Sequence, residues 1–490
     1  MAWLTKSRFL SGLQCPKRLW FDVHQPLETG LPESVVLLNG RAVDRLAQTL
    51  RPGIVVSRER GMPAAIAETA RLIRLGAPPV MFQPAFRSGD LAVIADVVET
   101  RGYGVTLTEV KSSTRVKPQH VPDAAFQTLV VRKAGIPVDR VLLAHIDGGF
   151  ELKTRGDYDG LLVEKDVTSE VETSLPEIAE TATRLQGIMA ARTQPRISMG
   201  AQCRIPYECP FMDRCSAQSG AIPDYPVGLL PRGGKTVEVL LAEGYGDLTD
   251  VPADRLSGKI HQRVHQATVT GEVYFDVTAT AELRQLNYPM SYLDFETIGL
   301  AVPEIIGMHP YEHWPFQWSV HVEESPGQVR HAEYLAIDSF GDLAALAQAL
   351  LQALPDSGPI FAYNAPFERG VLERMAERLP ALAGGLSGLA GRLVDLLPIT
   401  RAAYYHRDMK GSWSIKAVLP TIDPALSYEG LGEIAASDAA QMAFMTVRNP
   451  QTPLARRKEL EEGLKRYCER DTWGMVVLRR FLSGNGCGKG

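Results

Sequence analysis

The 490-residue chain has no run of 18 consecutive apolar residues, so no segment reads as a membrane-spanning helix. Lys6, Arg8, Lys17 and Arg18 break up the first twenty residues, where a secretory signal needs an uninterrupted apolar core, and the expected location is the cytoplasm. Cysteine is scarce, at six residues, which excludes a disulfide scaffold; in a reducing compartment clustered thiols point to metal ligation instead. Neither sign of charge prevails, with 52 Lys and Arg against 57 Asp and Glu, so a nucleic-acid partner has to be met by local patches. With 45% hydrophobic and 22% charged residues, the composition excludes disordered and fibrous classes. There is no internal repeat, and the one biased stretch is ALAGGLSGLAGRL, read as a loop or loosely packed helix. At roughly 150 residues per domain the length predicts about three domains.

In the first 150 residues the pattern predicts a helix over 37–50, a short strand over 53–57, strands over 80–86, 90–99 and 103–112, a helix over 119–133 and a buried strand over 141–146. A helix over 168–192 then leads into a cysteine-bearing loop, and the proline-containing stretch 222–230 reads as a linker. Residues 231–285 read as a small helical connector. A second α/β region starts near Tyr288, with strands at SYLDFE, 316–322, 330–336 and PIFAYN, then VDLL. Its helices are expected over 340–354, at FERGVLERMAERL and over 454–482. Strands followed by alternating helices and strands predict a mixed sheet covered by helices.

Cys203, Cys209 and Cys215 are each separated from the next by five residues in CRIPYECPFMDRC, and Cys15 stands alone in GLQCPKRLW. Together they suit a four-thiolate site holding zinc or an iron-sulfur cluster. The absence of a CxxC pair favours a [4Fe-4S] cluster over zinc. Cys468 falls in a periodic helix and reads as a small core residue, and Cys487 lies in a Gly-rich tail. A lone cysteine before an α/β core and a CPF-x-D-x-C turn after it resemble the iron-sulfur RecB-type nucleases, AddB among them. That resemblance implies a cluster stapling the two ends of the domain together, although the spacing departs from the CxxC-x5-C of that family.

In AVIADVVETRGYGVTLTEVKSS, Asp96 precedes Glu109 and Lys111, and residues two apart on a strand project from one face. Two carboxylates can hold a divalent cation against a phosphate while a lysine orients or deprotonates water. Taken alone, D-x(12)-E-x-K also fits a surface hairpin of alternating charge. In its αβββαβ setting it resembles the PD-(D/E)XK nucleases, which implies that Asp96, Glu109 and Lys111 are catalytic and that Gln127 opens their QxxxY motif. Asp44 stands where that family has a histidine, and Val131 where it has the motif tyrosine. These departures keep open a domain that binds without cutting. Lys111, Arg115, Lys117, His120, Arg132 and Lys133 line either a phosphate path or a solvated basic face.

SYLDFETIGL places Asp294 and Glu296 on one face of an apolar strand, where burying both demands a cation or a partner. In IFAYNAPFERGVL, Asn364 and Pro366 are suited to open a helix bearing Glu368, with Asn364 as its cap. Tyr467 and Asp471 in YCERD are four apart, on one face of a helix. Four such carboxylates can hold two divalent ions, with Tyr467 orienting water. D-x-E, N-x-x-F-E and Y-x-x-x-D in this order resemble the three motifs of the DnaQ-like DEDD exonucleases of the ribonuclease H fold. Glu368 stands where that family has Asp. Asp395 in VDLL reads as a helix cap or a secondary site residue. The aromatics of HPYEHWPFQWSV read as base-stacking or core residues. In YYHRDMKGSWSIK, Lys410 and Lys416 read as strand-end contacts or as part of a polar loop.

The expected architecture is therefore α/β throughout: an iron-sulfur PD-(D/E)XK-like domain over 1–222, a helical connector over 223–285 and a ribonuclease H-like domain over 286–490. The pairing also resembles a prokaryotic family that joins a RecB-like iron-sulfur module to a domain of unknown function. The expected activity is hydrolysis of DNA or RNA from a single-stranded 3' end with Mg²⁺ or Mn²⁺ bound at Asp294, Glu296, Glu368, Asp471, Asp96 and Glu109. The alternatives are a nucleic-acid-binding iron-sulfur scaffold with degenerate sites and a zinc-stapled enzyme acting on small nucleotides.

Overall fold

The computed structural model describes residues 2–27, 33–76, 78–101, 104–218 and 223–484. Cys487 and Ile222, the first residue of the expected linker, lie outside them. The chain is mixed α/β and divides into two compact units, residues 1–221 with 299–312, and residues 222–298 with 313–490. The 223–285 stretch, expected as a separate connector, thus belongs to the second unit, and 299–312 groups with the first. Among the described residues no helix is long and apolar enough to cross a membrane.

In the first unit a six-stranded sheet runs in the order Ile54–Val55, Val80–Phe82, Val97–Arg101, Gly104–Lys111, Val138–Ile146, Leu162–Asp166. Gly104–Lys111 pairs antiparallel with Val97–Arg101 and parallel with Val138–Ile146, the latter through the crossover helix His120–Lys133. That helix is buried on nearly every side, from His120 to Val131, and Phe126 stacks on Phe9 at a ring-centroid distance of 4.3 Å. The two strands expected over 80–86 and 90–99 each break in two. Ala85–Ser88 and Leu91–Ile94 leave the large sheet and join Leu4–Thr5 in a small one. The break falls at one level on both strands, where Gln83 has φ 57° and accepts no extended geometry, and Pro84 has no N–H to give a ladder. Gln83 N–H donates to Asp96 C=O (3.0 Å) and Ala95 N–H to Pro84 C=O (3.0 Å), so Asp96 sits at the corner.

Among the described residues of this unit four α-helices went unpredicted: Lys6–Gln14, Pro16–His24, Met62–Arg74 and Met212–Gln218, the last within the expected cysteine-bearing loop. Start signals for the first three are present in the sequence, since the Thr5 hydroxyl caps Lys6–Gln14 and prolines occupy the first turns of Pro16–His24 and Met62–Arg74. Cys15 joins the first pair. The Gly299–Glu312 segment is held by Asn39, whose amide donates to Gly299 C=O (3.0 Å) and accepts from Ala301 N–H (2.9 Å).

The second unit is built on a five-stranded sheet in the order Gln328–Leu335, His313–Ser325, Met290–Gly299, Ile360–Ala362, Leu393–Asp395. The first two pair antiparallel, and the last three are parallel to one another. Parallel neighbours need crossovers, and Leu343–Ala353 and the helices Ala365–Arg378 and Ala383–Gly391 supply them. The 223–285 stretch joins this unit because Tyr274 and Phe275 pair with Tyr405 and Tyr404, and Phe275 packs edge-on against Phe481 at 5.4 Å. Trp314 and Trp318 are buried, as core residues of their strand rather than stacking platforms.

The 29-residue helix Leu454–Leu482 closes the unit. Its Arg479 ion-pairs with Glu323 of the sheet, both side chains 2% exposed, and Arg480 adds a second contact to Glu323 at 2.7 Å. Arg479 also donates to the Tyr292 hydroxyl at 2.9 Å. Glu323→Ala leaves Arg479 buried without its counter-charge, and we expect a loss of about 3–5 kcal/mol in urea unfolding.

Candidate functional site

Asp294 and Glu296 project together from Met290–Gly299, an almost wholly buried strand. Asp471 approaches from the last helix, and one carboxylate oxygen from each of the three lies within 4.8 Å of the others. Glu368, in the first turn of Ala365–Arg378, lines the same cavity of about 200 Å³, as do Tyr467, Asn364 and Lys416. Every carboxylate of the second expected site is therefore brought to one cavity.

Burial, followed by repulsion from Asp471 and Glu296, pushes Asp294 well above the usual carboxylate range. Burial and Asp471 do the same to Glu296, with Lys416 opposing. Asp471 is raised to about 6 by burial, against the Tyr428 hydroxyl that donates to it and the nearby Lys416 charge. Glu368 is raised to about 8, chiefly by burial, and its Oε2 is buried without a hydrogen-bond partner. Carboxylates that resist losing their protons in this way are short of positive charge.

Tyr467 is held by Lys416 Nζ, which donates to its hydroxyl at 2.9 Å and to Ala435 C=O at 2.8 Å. Burial and the neighbouring Asp471 raise the Tyr467 phenol, so it stays protonated. Lys416 belongs to the cavity rather than to a polar loop, because Ser414 caps the helix Ile415–Ile422 and sets Lys416 in its first turn. Cys468 is buried as expected, yet its thiol donates to Asp294 Oδ2 at 3.5 Å. Asp395 is a cap: its Oδ1 accepts from Leu397 N–H and Asn364 N–H, both at 3.0 Å. Asn364 occupies the cap position of the Glu368 helix, but in the left-handed region at φ 81° and with no side-chain cap bond, contrary to expectation. Tyr428 was not singled out as a site residue because no spacing rule links it to Asp471, and Cys468, three residues before Asp471, because it was read as a small core residue.

The first unit gathers a second set. Glu109 Oε1 accepts from Lys111 Nζ (2.6 Å) and from Lys6 Nζ (2.7 Å), and Glu109 Oε2 accepts from Gln127 (2.6 Å). Asp96 Oδ2 accepts the N–H of Val110 at 2.8 Å. Lys111 also ion-pairs with Asp123, to which Gln127 donates at 3.1 Å. All four expected residues, Asp96, Glu109, Lys111 and Gln127, therefore meet, joined by Lys6 and Asp123. Against burial, Lys111 and Lys6 hold Glu109 well below the carboxylate range, while burial and Glu109 raise Asp96 and Asp123. Asp44 feels this cluster too, raised by burial and then by Glu109. Val131 is fully buried in the core. Arg132 is tied to Glu172 and to Val138 C=O (2.7 Å) near the far end of its helix.

A groove of about 980 Å³ opens beside this cluster, lined by Lys111, Asp123 and His120 at one end and by Arg8, Arg18 and Phe211 elsewhere. Cys15, Cys203, Cys209 and Cys215 all line one small neighbouring cavity with Lys17 and Arg18. Trp20, Phe21 and Phe211 pack with Cys209 behind it. The groups of three ligand atoms that close to within 4.8 Å among the described residues do not include these thiols.

Residues 291–414 match the family model described as a domain of unknown function, DUF2779. The matched stretch carries Asp294, Glu296 and Glu368 and stops short of Lys416, Tyr467 and Asp471. No curated protein matches the chain.

The raised Glu368 gives a pH prediction. Its folded form binds a proton between the ordinary value of 4.5 and about 8, where the unfolded chain does not. Rising pH across that window therefore destabilises the metal-free protein, by at most about 1.4 kcal/mol per unit from this group. Glu368→Gln should flatten that slope in chemical unfolding measured from pH 5 to 8.

Proposed function

We propose that the chain is a metal-dependent nuclease that hydrolyses phosphodiester bonds through the Asp294, Glu296, Glu368 and Asp471 cavity. The observation that carries this reading is the convergence of the buried Glu296 and Asp471 with the half-buried Asp294 to within 4.8 Å, with Glu368 Oε2 unpartnered on the same cavity. An all-carboxylate donor set fits hard divalent cations, Mg²⁺ or Mn²⁺. Such ions, when bound, lower the pKa of water and stabilise the attacking and leaving oxygens of a phosphoryl transfer. The protein's own part is to bury the carboxylates together and aim them at one point, where the charge of a bound cation would favour their ionised forms. Tyr467, protonated and fixed by Lys416, is placed to orient water by donating a hydrogen bond rather than to remove its proton.

The strand order, with parallel strands added beyond the one bearing Asp294, supports a ribonuclease H-like, DnaQ-type reading of this unit. The motif order supports removal of nucleotides from a 3' end. DNA and RNA are both candidate substrates.

For the first unit the αβββαβ order and the meeting of Asp96, Glu109, Lys111 and Gln127 support a PD-(D/E)XK-like domain. A binding role is favoured there by one observation: Glu109 is already neutralised by two ammonium groups, those of Lys6 and Lys111. The adjacent groove, with Arg8 and Arg18 on its walls, suits a phosphate backbone. The shared cavity of the four cysteines supports a metal staple. Zinc at about 2.3 Å from each sulfur draws thiols to within roughly 4 Å of one another. No three of these thiols close to within 4.8 Å, and the choice of a [4Fe-4S] cluster over zinc rests on the lack of a CxxC pair in the sequence.

Anaerobically purified protein, incubated with Mg²⁺ or Mn²⁺ and 5'-labelled single- and double-stranded DNA and RNA, should produce a ladder shortening from the 3' end. Asp294→Asn and Asp471→Asn should each lower the rate by more than about 100-fold, since even residues behind a metal ligand contribute 10–100-fold. Lys111→Ala should weaken retention in a gel without abolishing the ladder. If wild type shortens no substrate with either metal, the catalytic reading fails and nucleic-acid binding alone is left. Iron analysis checks the staple: Cys209→Ser should lose iron and its visible absorbance, and a wild-type chain that holds zinc and no iron overturns the cluster.

A further inference from the structure

We propose that His321, His331 and Glu469 form a second metal site, for a first-row transition ion of the zinc class, using none of the residues of the carboxylate cavity. His321 and His331 are directly opposite partners on the antiparallel strands His313–Ser325 and Gln328–Leu335. Opposite partners share a face of the sheet, and the two rings stand 4.6 Å apart between centroids. Glu469 reaches them from the last helix, and one ligand atom from each of the three lies within 4.8 Å of the other two.

The hydrogen bonds behind the rings point to a ligand. His321 Nδ1 bonds with the Thr472 hydroxyl at 2.8 Å and His331 Nε2 with the Ser319 hydroxyl at 2.9 Å. The two hydroxyls bond with each other at 2.8 Å. One nitrogen of each ring is thereby tied down, and His321 Nε2 and His331 Nδ1 are left over. Orientation of an imidazole through its second nitrogen is how proteins prepare a histidine for a metal. On the open side, His331 Nδ1 stands 4.0 Å from Glu469 Oε1, too far for a hydrogen bond. Two ligands each about 2.0–2.1 Å from a zinc ion stand up to roughly 4 Å apart, so the gap has the size an ion fills. Nitrogen donors select zinc, cobalt or nickel over magnesium. The side chains of His331 and Glu469 are 25% and 50% exposed, so an ion can enter from solvent and keep a water as its fourth ligand. Bound there, it would fasten the edge strand Gln328–Leu335 to the last helix, two residues before Asp471.

Equilibrium dialysis of the full chain against Zn²⁺, in excess Mg²⁺ to saturate oxygen-only sites, tests the site. Wild type should hold one zinc ion per chain more than His331→Ala. Glu469→Gln, which removes charge at the surface, should weaken that ion at least about tenfold, and Thr472→Val, which frees the His321 ring and removes the hydroxyl bond to Ser319, by about 10–100-fold. Circular dichroism melting without zinc checks that the variants fold, and zinc should raise the melting temperature of wild type but not of His331→Ala. Equal zinc content and affinity in wild type, His331→Ala and Glu469→Gln overturns the proposal and leaves the cluster as a hydrogen-bonded clasp.

Discussion

Asp294, Glu296 and Asp471 repel one another around one cavity of about 200 Å³, and the second unit is arranged to hold them there. Like charges a few ångströms apart at low dielectric would separate if their supports could move. They cannot. Asp294 and Glu296 are fixed by a strand buried along its length, and Asp471 by a helix anchored through the Glu323, Arg479 and Arg480 clamp. Tyr428 and Lys416 ease the charge without cancelling it. The folded state therefore carries a debt of positive charge that a divalent cation relieves, and cation affinity is the expected return.

The first unit meets a similar problem in another way. Asp96, Glu109, Asp123 and Asp44 also crowd together, but Lys6 and Lys111 stand among them and make direct ion pairs with Glu109. An internal cation lowers the Glu109 pKa where the other site raises those of its carboxylates. The two clusters thus differ in what they require from outside, although both pair an acidic strand with residues from a helix. This difference underlies the reading of one unit as the cutter and the other as the holder.

Much of both sites was legible as spacing. The two-residue repeat of strands brings Asp294 to Glu296 and Glu109 to Lys111, and the four-residue repeat of helices brings Tyr467 to Asp471. The last helix occupies the expected 454–482 span. The helix His120–Lys133 is buried on nearly all sides and still occupies the expected 119–133 span, whereas the strands near Asp96 look continuous in the sequence although Gln83 and Pro84 turn them into a second sheet. Lys6 was read only as a charge that breaks a signal sequence, yet it is 103 residues from the carboxylate it neutralises.

The sequence by itself determined which residues share a face of one strand or helix, because backbone geometry repeats every two or every 3.6 residues whatever the rest of the chain does. It thereby named Asp294, Glu296, Glu109 and Lys111 as pairs and grouped Cys203, Cys209 and Cys215. Only the tertiary structure decided which pairs meet. It brought Glu368 and Asp471 to Asp294, Cys15 to the other cysteines, Lys6 to Glu109, and His321 with His331 to Glu469. The reason is that strand order, register and the angle of a packed helix are set by burial summed over whole elements, a quantity that no local window of sequence contains.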